Sequence, residues 1–135
     1  MSALTEFLFP APAPRSVGKI ISWWERRRLF YNAAVGAAGL GTLGVLTVAV
    51  SVFEGGLALP PWQPVAVFGA MANVCYSLGP CVEILAHRLW GRSVLPVGPS
   101  LYRMGLTFAV GLALFPALLV ILFVVARVVV VSLPG

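Results

Sequence analysis

Three apolar runs, roughly 31–53, 64–86 and 102–126, are each long enough to cross a bilayer, whose hydrocarbon core takes about 20 helical residues. Inside lipid every backbone amide and carbonyl needs a partner within its own segment, so runs of this kind fold as α-helices. The composition agrees: 60% of the chain is hydrophobic, 10% is charged, and the mean hydropathy is +0.99. The predicted fold is an all-α integral membrane protein with three transmembrane helices. No fourth run exists, and what lies between the three is too short for a separate soluble domain of about 50 residues or more. Residues 1–15 read as a proline-rich arm and 16–135 as a single membrane domain.

The net charge of +5 raises nucleic acid as a partner, but its distribution points to a membrane instead. Arg15, Lys19, Arg26, Arg27 and Arg28 precede the first run, Arg88 and Arg92 follow the second, and Arg103 opens the third. Arg127 alone falls on the opposite side. By the positive-inside rule the N-terminus and the 87–101 loop are expected in the cytoplasm, with the 54–63 loop and the C-terminus outside. The expected partners are therefore the lipid bilayer and a membrane-protein partner or homo-oligomer, with no nucleic acid. One lysine against eight arginines, with abundant alanine, glycine and valine, fits a bacterial inner membrane.

The first 15 residues lack both a basic leader and a cleavage site of small residues, so no cleaved signal peptide is expected. PAPAP has polyproline character and reads as a stiff or disordered tether. Residues 16–29 are predicted to form an amphipathic helix lying in the interface, capped by Ser16, with Trp23 and Trp24 at headgroup level. Glu54, Gly55 and Gly56 should end the first span. Pro64 suits the first turn of the second.

Small residues line two predicted packing faces. Ala37, Gly41 and Gly44 share a face of the first span, and Gly105, Ala109, Ala113 and Ala117 form a four-residue ladder along the third. Such faces let helix backbones approach closely, which replaces the hydrophobic drive that lipid removes. Pro116 is a candidate bend in the third span. The apolar tail VVVVSLPG beyond Arg127 is expected either to sink into the bilayer or to touch a partner.

The second span carries the chemistry-bearing residues. At helical spacing Asn73, Tyr76, Ser77, Pro80, Glu83 and His87 share one face, which must look at protein rather than lipid. Pro80 frees a carbonyl near Tyr76, for which Ser77 is the nearest candidate partner. Glu83 is the one carboxylate inside an expected span. At its depth lie Arg26 to Arg28, Asn32 and Arg103, so an ion pair or hydrogen-bonded cluster joining Glu83 to Arg28 or Arg103 and Asn32 is expected. Two alternatives stay open: proton or cation handling with His87 as relay, and recognition of a substrate or lipid headgroup. Asn73, Tyr76 and Ser77 are expected in interhelical hydrogen bonds or ligand contacts.

Metal and cofactor sites are not expected. Cys75, Cys81 and His87 recur every six residues, which is not a helical face repeat, and closed zinc sites use closely spaced pairs. The two cysteines cannot bridge each other on one helix and read as small buried thiols. A single histidine cannot supply two axial haem ligands, and no hydrolase, metalloprotease or phosphate-loop motif occurs.

The strings WWERRRLFYN and ANVCYSLGPCVE resemble a loose family of small bacterial multi-pass membrane proteins with a Trp, Glu and Arg-rich entry followed by an Asn, Cys, Tyr segment. The resemblance covers about a quarter of the chain and implies a cytoplasmic-membrane location, no known catalytic activity and no assigned site residues. The expected function is that of a non-catalytic accessory protein, scaffold or subunit of a membrane complex. The alternative is an oligomeric transporter of ions or small solutes that uses Glu83; an enzyme is not expected.

Overall fold

The computed structural model describes residues 16–91 and 97–132, so the proline-rich arm, part of the 87–101 loop including Arg92, and the last three residues lie outside the described residues. Three helices follow one another: α1 (Val17–Glu54), α2 (Gln63–Trp90) and α3 (Gly98–Ser132). All three are long and apolar enough to cross a membrane. Among the described residues there is no strand.

Local chemistry explains where α1 and α2 begin and end. Ser16 is extended and its hydroxyl accepts from the Lys19 amide at 3.4 Å, which caps α1. At the other end Gly55 turns left-handed with φ 71°, a conformation that costs other residues their Cβ clearance. Pro64 stands in the first turn of α2, as expected, and Gly91 closes that helix by donating its amide to the His87 carbonyl.

One expectation fails here. Residues 16–29 are not a separate interfacial helix but the first turns of α1, because nothing between Ser16 and Gly55 breaks the ladder. Their apolar face stays in register with the span above it. Ile20, Trp24, Arg27, Tyr31, Val35, Ala38 and Thr42 follow at steps of three or four and are all buried. Trp24 is thus 2% exposed inside the bundle rather than at headgroup level.

The packing faces also differ in part from expectation. On α3, Ala109, Ala113 and Ala117 are buried against the bundle, while Gly105 is exposed. On α1, Ala37, Gly41 and Gly44 are exposed, and the face used inside the chain is rotated to Tyr31, Val35, Ala38 and Thr42. Larger side chains won that face because an aromatic and a β-branched residue bury more area against α3 than glycine does. The Thr42 hydroxyl donates to the Ala113 carbonyl at 2.5 Å, a hydrogen bond that pins α1 to α3.

Helix α1 packs along α3 most extensively, and α2 meets α3 least. The three helices are staggered. Val65, in the first turn of α2, shares a groove with Gly39 and Leu40 of α1, and from Leu40 to Glu54 α1 continues for roughly 20 Å. Over that length its partner is α3, as the Phe53 and Phe123 rings show at 6.2 Å. The connecting segment turns back beside α1, where the Ser51 hydroxyl accepts from the Ala58 amide at 3.1 Å. One end of the molecule is therefore a three-helix bundle, and the other is a helix pair flanked by an extended, proline-stiffened strand of chain.

Candidate functional site

The three-helix end is organised around Trp24. Its indole Nε1 donates to Glu83 Oε2 of α2 at 2.6 Å, and its backbone carbonyl accepts from the Tyr76 hydroxyl at 2.5 Å. A helical carbonyl has two lone pairs, so it takes the second bond without leaving the helix ladder. Around the indole, Trp23, Tyr76 and Tyr102 present their rings edge to face, with centroids 5.3, 5.4 and 6.1 Å away. Offset and edge-on pairs of this kind each contribute about 0.5–1.5 kcal/mol beyond their buried area. Tyr31 extends the cluster, tilted on Tyr76 at 4.6 Å and donating to the Ala72 carbonyl at 3.1 Å.

Two glycines make room for this arrangement. At Gly79 a β-carbon would collide with the Trp24 six-membered ring, lying 2.6 Å from Cζ3. At Gly98 a β-carbon would collide with the Glu83 carboxylate, lying 2.9 Å from its Cδ. Gly98 is the first residue of α3, so the carboxylate sits at the end of that helix where the unsatisfied amides and the macrodipole favour negative charge. Glu83, 4% exposed, thereby touches α1 and α3 while belonging to α2.

Two cations flank the aromatic cluster. Arg27 is buried, with its guanidinium 3.8 Å over the Trp23 ring and donating to the Trp23 carbonyl at 3.2 Å. Arg28 pairs with Glu25 at 2.8 Å, reaches the Ser77 hydroxyl at 3.4 Å, and lies 5.0 Å over the Tyr76 ring. Asn32 and Arg103 are exposed, and His87 is half-buried. Glu83 and Tyr76 meet at Trp24, and of the residues expected in a cluster with Glu83, Arg28 reaches this site through the Tyr76 ring and Ser77. Asn32 stands apart, on a groove it shares with Asn73.

Within α2 the polar stripe divides by reach. Tyr76 bonds to another helix. Asn73 donates to the Gly69 carbonyl at 3.1 Å and Ser77 to the Asn73 carbonyl at 3.0 Å, both inside their own helix. Ser77 thus serves Asn73 rather than the Tyr76 carbonyl that Pro80 leaves without its helical donor, because a hydroxyl reaches back one turn more easily than it reaches its neighbour. Cys75 and Cys81 are exposed, not buried. Among the described residues no three histidine, cysteine or acidic side chains converge as metal ligands would.

Trp24, Arg27, Gly79 and Gly98 complete the site; from the sequence alone Trp24 has an interfacial role, Arg27 belongs to the basic run at the depth of Glu83, and neither glycine is assigned to the site. Trp24 was discoverable: it follows Ile20 by four residues and precedes Tyr31 by seven, the same helical face. Chemically the arrangement holds rather than reacts. An indole N–H donates only and keeps its proton, so its bond to Glu83 anchors the carboxylate and relays nothing. No protein-family model, no curated protein and no solved structure matches the chain.

Proposed function

We propose that the chain is a non-catalytic membrane protein, an accessory, scaffold or subunit of a larger membrane assembly. The observation that carries this reading is the Glu83 side chain, which is occupied in fastening α2 to Trp24 of α1 and to the start of α3. Intramembrane carboxylates are expensive and mark function or assembly. This one is buried, accepts from an indole and lies against Gly98, a setting suited to holding helices in place. The long, apolar α3, whose last two turns are exposed and rich in valine, adds surface for a neighbour.

The arginine asymmetry supports a cytoplasmic N-terminus and an external C-terminus, and the excess of arginine over lysine supports a bacterial origin and hence an inner membrane. The test is purification of the intact chain in mild detergent, with flux measured in parallel on the chain in liposomes. Recovery in a larger assembly, with no flux, is the expected result. Proton-coupled flux abolished by Glu83→Gln would replace this reading with a transporter.

A further inference from the structure

We propose that the groove between α1 and α2, on the face carrying Asn32 and Asn73, docks a second copy of this chain. The proposal deepens the reading above by naming the partner. The groove has a volume of about 410 Å³, and Gly36, Gly39 and Gly69 lie in its floor. A β-carbon added at any of these three would meet nothing within 4 Å. Among the described residues nothing covers the backbone at these three glycines, and close backbone approach is what drives helices together in lipid.

The polar groups choose the occupant. Asn32 is exposed on a membrane-crossing helix and its carboxamide makes no hydrogen bond among the described residues. Asn73 spends its amide group on the Gly69 carbonyl, which leaves its Oδ1 to accept. A lipid tail offers neither donor nor acceptor. A carboxamide offers both, so an identical groove is complementary to itself. The heights match as well, because the Tyr31 hydroxyl on the Ala72 carbonyl sets the next residues, Asn32 and Asn73, at one level. About a two-fold axis along the membrane normal, α1 of each copy faces α2 of the other, and two Asn32 to Asn73 pairs form at once.

The test uses the full chain in lipid nanodiscs and mild detergent. With Cys75 and Cys81 changed to serine, differently tagged chains carrying Gly36→Cys and Gly69→Cys are mixed and oxidised. A disulfide between the two tags is expected, and none when Met104→Cys, on α3 and outside the groove, replaces either. Asn32→Leu with Asn73→Leu should weaken self-association about tenfold, the size of interhelical amide bonds in lipid. Gly36→Ile, whose side chain enters open space in the monomer, should abolish association and leave thermal unfolding of the monomer in place.

A chain that stays monomeric, a dimer indifferent to all three changes, or a different protein seated on this face would overturn the proposal. These outcomes separate from those of the functional reading. A monomer recovered in a larger assembly sinks the dimer alone, whereas a dimer with Glu83-dependent flux sinks the subunit reading alone.

Discussion

Gly79 of α2 lies against the indole of Trp24 so closely that a β-carbon there would sit 2.6 Å from Cζ3. Trp24 is 2% exposed and has nowhere to retreat. Gly79→Ala should therefore push α2 off α1 and lower stability by about 1–3 kcal/mol, the usual cost of overpacking. Gly41→Ala and Gly44→Ala supply the contrast, since a β-carbon at either meets nothing within 4 Å. These should be neutral or stabilising by about 0.5–1 kcal/mol through helix propensity. Unfolding in mixed detergent micelles measures all three, and equal effects at Gly79 and Gly44 would remove the close-packing argument.

At the start of α3 the same logic applies to charge. Gly98→Ala drives a methyl group into the Glu83 carboxylate, 2.9 Å from Cδ, and should separate α3 from α2, the pair of helices that meets least. A lower melting temperature is expected, together with faster proteolysis of the 91–97 connection. Wild-type melting and wild-type cleavage would show that α3 does not depend on this contact.

Two of the interhelical hydroxyl bonds should differ little in size. Tyr76→Phe removes the bond to the Trp24 carbonyl and Thr42→Val removes the bond to the Ala113 carbonyl. Each should cost about 0.6 kcal/mol and at most roughly 1.7, the range for such bonds within membranes. The carbonyls keep their helical donors, so neither change leaves an orphan. A loss above about 3 kcal/mol in either variant would mean that packing rather than hydrogen bonding was lost.

Orientation is a separate matter that reporter fusions decide. The basic residues before Tyr31 predict a cytoplasmic N-terminus, and three crossings then put the C-terminus outside. A periplasm-active reporter should work at the C-terminus and fail at the N-terminus. The reverse pattern would contradict the topology.

What the sequence made legible follows from range. Span number, the Ser16 cap, the Gly55 stop and Pro64 in the first turn of α2 all depend on neighbours a few residues away, and each stands where it was expected. The register between helices does not. Depth along the membrane brings Glu83 near cations but leaves rotation about the helix axis free, so its hydrogen bond from Trp24 was not legible. The first turns of α1 carry tryptophans and arginines, the composition of an interfacial helix, and only their packing against α2 and α3 shows them to be bundle core. Gly79 and Gly98 look like any glycines until the atoms opposite them are known. The stagger of α2 against α1 was hidden for the same reason, since a connection of about eight residues reads as a short turn whether it crosses over or runs back along its helix.

The central claim is that Glu83 holds the bundle together through Trp24, and a double-mutant cycle on Trp24→Phe and Glu83→Leu measures it most directly. Trp24→Phe removes the indole donor from a buried carboxylate, and Glu83→Leu removes the carboxylate acceptor from a buried indole N–H. Each single change should destabilise the chain, and the pair together should cost less than the sum by about 1.5–3 kcal/mol, the size of a hydrogen bond to a charged group. Strict additivity of the two changes would contradict the account.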